Sequence, residues 1–194
     1  MSRLNEENRM RQKAWEHHEK GQYHEAEILY KKLIESDVKE YDVSNLGALM
    51  RNLGRAKEAF LLYKRWTKVF SKSINVLLNA TNCAIETDNI VEARKWIDNG
   101  LAENPNNIEL IKANARVMQL EGRDIDAITI LERAKLLPEN DINILLELGK
   151  IYDKNEDYDR ALINFKMAYK LDQIDSRSAA NIITILEKND PISP

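Results

Sequence analysis

Small alanines stand at regular steps along the chain, each followed four residues later by a large apolar side chain. The pairs are Ala26/Tyr30, Ala59/Tyr63, Ala93/Ile97, Ala127/Leu131 and Ala161/Phe165. Successive alanines lie 33, 34, 34 and 34 residues apart, too regular and too alike in local pattern for chance. Upstream of each lies a second apolar set, such as Val43, Leu46-Gly47 and Met50, or Leu145, Leu148-Gly149 and Tyr152. Spacings of i, i+3 and i+7 mark one face of a helix. Each unit therefore predicts two amphipathic helices, over 7–19 and 23–36, 41–52 and 56–69, 74–86 and 90–102, 108–120 and 124–136, and 142–154 and 158–170.

Helix-ending residues fall where this division needs them. Ser73, Asn107 and Asp141 precede the first helices of units three, four and five, where their side chains can accept bonds from free backbone N–H groups. Gly21, Gly54 and Gly122 stand at the turns inside units one, two and four, where a positive φ ends a helix cheaply. Asp88 and Glu156 hold that place in units three and five. Pro105 and Pro138 close units three and four, since proline cannot continue a helix. The alanines let paired helices approach, and the large residue four positions on fills the gap between them. After the fifth unit, Ala179, Ile182, Ile183 and Leu186 form an apolar stripe on a helix over 176–188. That stripe is expected to cover the apolar face of unit five, with Asn189-Asp190-Pro191 breaking the helix.

This pattern resembles the tetratricopeptide repeat over about residues 7–175. The match is closest in units two and five. It is weaker in unit four, where Asn114-Ala115 replaces Leu-Gly, and in unit one, which offers Met10, Ala14 and His17 as a capping repeat would. The resemblance implies an all-α, right-handed superhelical solenoid in a single domain, 1–194. It holds five helix-turn-helix repeats (7–39, 40–73, 74–107, 108–141 and 142–175) and the capping helix 176–188. In such a solenoid the first helices line a concave groove.

Composition narrows the functions. The chain of 194 residues carries 29 basic and 32 acidic side chains, a net charge of −3, so no field draws it to nucleic acid or an anionic membrane. The start, MSRLNEENRMRQK, lacks the apolar core of a secretory signal. Runs of about 18 apolar residues are absent, so no membrane helix is expected. With one cysteine, Cys83, an intrachain disulfide is ruled out, and a reducing, cytoplasmic setting is expected. His17, His18 and His24 lack the i, i+4 spacing of a zinc pair, and His17 takes a packed tyrosine place. Cys83 has neither histidine nor cation beside it in sequence, and phosphate loops and nucleophile motifs are missing. The expectation is a non-enzyme with no cofactor and no metal.

The groove positions carry the remaining signal. Fourteen residues before the anchor alanines sit Gln12, Asn45, Asn79, Ala113 and Glu147, and the same register reaches Asn181 in the cap. Asn45 and Asn79 resemble rungs of the asparagine ladder in O-linked N-acetylglucosamine transferase repeats, whose amides bond the backbone of an extended peptide. A carboxamide both donates and accepts, so it suits any peptide group. Asn75 and Asn82 add amides, and Arg51, Lys112, Arg116 and Lys150 add positive charge. These eight residues are the expected peptide site, for a protein or peptide partner with acidic side chains. The carboxylate clamp of chaperone-tail binders is absent: a start at the first unit gives Arg11, Trp15, Asn45, Asn75 and Asn79, and later starts do no better. An adaptor that is monomeric or weakly homo-oligomeric is therefore expected. Two alternatives stay open. The run from His18 to Asp37 resembles repeats that precede bacterial glycosyltransferases and sulfotransferases, which implies a recruiting arm of a larger enzyme. An uncapped end implies self-assembly.

Overall fold

A computed structural model describes residues 3–138 and 141–189. Among them lie eleven α-helices and no strand: α1 (Arg3–Glu19), α2 (Tyr23–Ser36), α3 (Glu40–Asn52), α4 (Ala56–Trp66), α5 (Ile74–Glu86), α6 (Ile90–Glu103), α7 (Ile108–Leu120), α8 (Asp124–Ala134), α9 (Ile142–Lys154), α10 (Tyr158–Leu171) and α11 (Ser176–Asn189). Helices α2, α5, α7 and α9 have the predicted bounds, while α4 and α8 stop early. After α8 the chain tightens, with Leu136 N–H donating to Arg133 O and Leu137 N–H to Ala134 O, because Pro138 disfavours helical backbone just before it. Of the break expected at Asn189-Asp190-Pro191, Asp190 and Pro191 lie outside the described residues.

The predicted helix ends are present. Ser73, Asn107 and Asp141 accept from the backbone N–H of Val76, Leu110 and Asn143, at 3.3, 3.0 and 2.8 Å. Asp88 and Glu156 take φ of 59° and 61°, the backbone that Gly54 adopts at 74° in the second hairpin. Asp tolerates this region better than most residues, and Glu does so at a cost of roughly 1 kcal/mol.

Backbone contacts gather into two compact units, Met1–Pro105 and Asn106–Pro194. In the first, the hairpins are α1–α2, α3–α4 and α5–α6, with α3 packed on both α2 and α5. In the second, α7 pairs with α8 and α9 with α10, and α11 packs on α10.

One reciprocity of size holds the hairpins together. The anchor alanines Ala26, Ala59, Ala93, Ala127 and Ala161 are fully buried, as are the large residues four positions on. Opposite each large residue the first helix places a small one. Gly47 faces Tyr63 so closely that a methyl on Gly47 would overlap the ring, and Gly149 stands to Phe165 in the same way. Thr81 and Ala115, which do carry side chains, take the glycine's place in their repeats, and there the large residue is aliphatic, Ile97 and Leu131. The first repeat departs from the rule, with Ala14 in the small place and Tyr30 in the large one.

Ion pairs link successive hairpins. In the first unit Arg11 joins Asp42 at 3.0 Å and Asp37 at 3.1 Å, Arg55 grips Glu27 at 2.7 Å, and Lys64 meets Glu92 at 3.0 Å. In the second, Lys154 meets Asp124 at 2.7 Å and Lys188 meets Asp153 at 2.6 Å. Burial pushes the Asp42 carboxyl up, since Arg11 and the Lys39 N–H satisfy one oxygen while Oδ1 has no partner. Glu27 behaves oppositely: its hydrogen bonds to Arg55, then to Lys31, outweigh burial and bring its carboxyl down to about 2.

Two sequence expectations need correction. The α11 stripe does not cover unit five as a whole: Ser178 and Ile185 are buried there, whereas Ile183 is 56% and Leu186 49% exposed. The buried line runs one residue to the side of the stripe, because α11 leans on the preceding hairpin with a different face. His17 is partly buried rather than packed, with Nδ1 2.6 Å from Gln22 Oε1.

Two outcomes are expected. Gly149→Ala should destabilise by about 1–3 kcal/mol through overpacking, and Phe165→Leu should remove most of that penalty. Denaturant titration of the two single variants and the double checks this, and additive losses would contradict the size rule. Because the Glu27 carboxyl is depressed in the fold, its stabilisation is complete above the unfolded value of 4.5 and is lost as pH falls towards about 2. Arg55 is partly open to water, so the loss should be about 1–2 kcal/mol. Stability of Glu27→Gln measured across this range should fall less than that of the parent protein, and parallel acid profiles would contradict the assignment.

Candidate functional site

In the first unit, α3 and α5 pack side by side and carry five of the eight residues expected to bind peptide. The 34-residue step puts Asn45 and Asn79 at matching places on the two helices. Both are half-buried, as is Asn82, and Asn75 is exposed. The side-chain amides of Asn75, Asn79 and Asn82 make no hydrogen bond to other described residues, so their donors and acceptors stay open to a ligand. Near Asn45 the Tyr30 hydroxyl is buried without a hydrogen-bond partner, and burial pushes it up to about 12. Beside Asn45, Ser44 Oγ is buried without a partner, while the Ser44 carbonyl accepts from the Tyr63 hydroxyl at 3.2 Å.

Arg51 closes one end of this face, but not as a free cation. Its guanidinium forms a two-pronged pair with Glu86 across α3 and α5, with Nε 2.8 Å from Oε2. That bonding, against a partly buried setting, holds the Arg51 charge on more firmly than usual.

The other three expected residues belong to the second unit. Lys112 on α7 bridges Glu109 and Asp141, the latter at 2.9 Å. Burial opposes its charge, but the two carboxylates prevail and raise it. Lys150 on α9 pairs with Glu147 at 2.8 Å. Arg116 is exposed and forms no ion pair with the described residues. Positive charge read from sequence is thus largely neutralised within the chain. The partners that the sequence reading left out are Glu86, Glu109, Asp141 and Glu147. Glu109 and Glu147 were within reach of it, since each stands three residues before its lysine on one helix.

Chemistry elsewhere is sparse. Cys83 is fully buried, its thiol pushed up to about 11 by burial, and Sγ–H donates to Ala56 O at 3.1 Å. Such a thiol is a poor nucleophile. His18 packs edge-on against Tyr23 and Tyr30, with ring centroids 5.9 and 6.2 Å away. Among the described residues, no three His, Cys, Asp or Glu side chains gather as a metal site would need, and no helix is long and apolar enough to cross a membrane.

Stacked hairpins with Ala anchors and a 34-residue step define a helical repeat protein of the tetratricopeptide type. Solved structures share the fold. A tetratricopeptide repeat protein from Parabacteroides merdae ATCC 43184 aligns with a TM-score of 0.79 at 17% identity, over 92% of this chain and 72% of that one. A thermophilic TPR protein of Thermus thermophilus, TTC0263, aligns with a TM-score of 0.73 at 17% identity, over 93% and 98%. MamA from Desulfovibrio magneticus RS-1, from its residue 41 onward, gives a TM-score of 0.73 at 14% identity, over 87% and 96%. No curated protein matches the chain in sequence. Residues 3–191 match the ChAPs family, the Chs5p-Arf1p-binding proteins, and the chain belongs to that family. These matches do not carry the glycosyltransferase likeness of the run from His18 to Asp37.

Proposed function

We propose that this protein is an interaction scaffold whose α3–α5 face holds an extended segment of a partner protein. The observation behind the reading is the row of amides at Asn75, Asn79 and Asn82, hydrogen-bonding groups left unused among the described residues. A buried or half-buried polar group left unpaired is costly once a ligand excludes water, so these amides favour ligands that can bond both ways. The backbone of an extended peptide does so whatever its side chains. The family's description as binders of Chs5p and Arf1p supports a protein ligand over a small molecule.

Charge plays a secondary part in this reading. Arg51 and Glu86 together present a neutral edge, so an acidic partner gains little at the α3–α5 face. Of the three expected cations in the second unit, Arg116 is the one without a carboxylate among the described residues, while Lys112 and Lys150 would first have to leave their own carboxylates.

Asn45→Ala with Asn79→Ala should weaken binding to many extended peptides alike, by about 0.5–1.5 kcal/mol for each bond lost. The check is titration of the best binders from a peptide library against this variant, with circular dichroism to verify folding. Affinities unchanged in the variant, but abolished by a substitution on the outer helices α2, α4 or α6, would place the partner elsewhere.

A further inference from the structure

Helix α11 repeats α9 after 34 residues. Ser178 and Ile185 are buried as Ile144 and Ile151 are, so the two helices use the same side to lean on the preceding repeat. The next side differs. On α9, Leu145, Leu148, Gly149 and Tyr152 are all buried, and the Phe165 ring of α10 lies on Gly149. Their counterparts on α11 are Ala179 and Ile182, half-buried, and Ile183 and Leu186, exposed. Among the described residues nothing covers this face. It is the face that, in every other repeat, receives the second helix of the hairpin.

The neighbouring helix has the matching vacancy. In the first unit α4 meets α6 through Phe60 and Trp96, whose ring centroids are 5.8 Å apart, and through Lys64 and Glu92. The equivalent places on α10 hold Leu162, half-buried, and Lys166, exposed and without a carboxylate partner among the described residues. A helix seated on α11 would therefore continue the interface by which one hairpin follows another, and Lys166 asks it for a carboxylate.

We propose that α11 and α10 together form a docking site for one amphipathic helix of another polypeptide. The helix lies on α11 as α10 lies on α9, sets an Ala or Gly over Ile183, and directs an Asp or Glu to Lys166. The size rule fixes the first requirement. A large side chain fits over Gly149 because nothing projects there, so the bulk of Ile183 demands a small partner. Helix-in-groove docking suits a face of four side chains set along one helix. The site is separate from the α3–α5 face and does not rest on it.

The probe is a fluorescent peptide with the α6 sequence Ile90–Glu103, which carries Glu92, held helical by a crosslink on its outer side and bearing Ile97→Ala. Its affinity for the full 194-residue chain is read by fluorescence polarisation. The expected result is binding that weakens about tenfold or more with Ile183→Glu and with Lys166→Glu, a change of about 1.4 kcal/mol per tenfold. Glu92→Lys in the peptide should restore binding to Lys166→Glu. The peptide that keeps Ile97 should bind several-fold less tightly than the Ile97→Ala probe, and Ile183→Gly should recover it. No binding of the Ile97→Ala probe, or binding indifferent to Ile183→Glu, overturns the proposal. So does sedimentation showing a dimer of the chain that Ile183→Glu dissolves, because a second copy would then be the occupant.

Discussion

Close contact between a large side chain and bare backbone is the constraint on which the hairpins depend. Tyr63 and Phe165 press on Gly47 and Gly149, where even a methyl would collide. Dense interiors leave no slack for an extra carbon, so the two sides vary together in the second to fifth hairpins. Where the first helix carries Thr81 or Ala115, the second answers with the aliphatic Ile97 or Leu131. The anchor alanines follow from the same demand, because the second helix must approach closely enough for its large residue to reach across. Hairpin geometry then sets what each first helix turns outward.

The proposed function rests on those outward positions. With core places filled by apolar residues at fixed register, the free side of α3 and α5 can be polar without loss of packing. It carries the amides of Asn75, Asn79 and Asn82, which make no hydrogen bond among the described residues. Charges, by contrast, are mostly used by the fold itself: Arg51, Lys112 and Lys150 are matched within the chain by Glu86, Asp141 and Glu147. A surface of unengaged amides and self-neutralised charges favours contact with peptide backbone over long-range attraction.

Much of this was legible in the sequence, and the gaps have physical causes. The alanine steps gave the hairpins, and Ser73, Asn107 and Asp141 marked helix starts that the structure bears out. Positive φ at Asp88 and Glu156 followed from the same alignment. Helix α11 shows the limit: periodicity finds an apolar stripe but cannot say what lies against it, and Ile183 and Leu186 face outward. Arg51 shows another. Its partner Glu86 is 35 residues away, a pairing that exists only once the hairpins stack. The open amides of Asn75, Asn79 and Asn82 could be placed by register, while the burial of the Tyr30 hydroxyl without a partner needed the packed helices.

The most direct test of the central claim, that partners are held on the α3–α5 face, is amide hydrogen exchange with and without the best-binding extended peptide. Peptide binding should slow exchange in α3 and α5, above all around Asn45 and Asn79, and leave α2, α4 and α6 unchanged. Protection confined to those outer helices, with α3 and α5 exchanging as in the free protein, would contradict it.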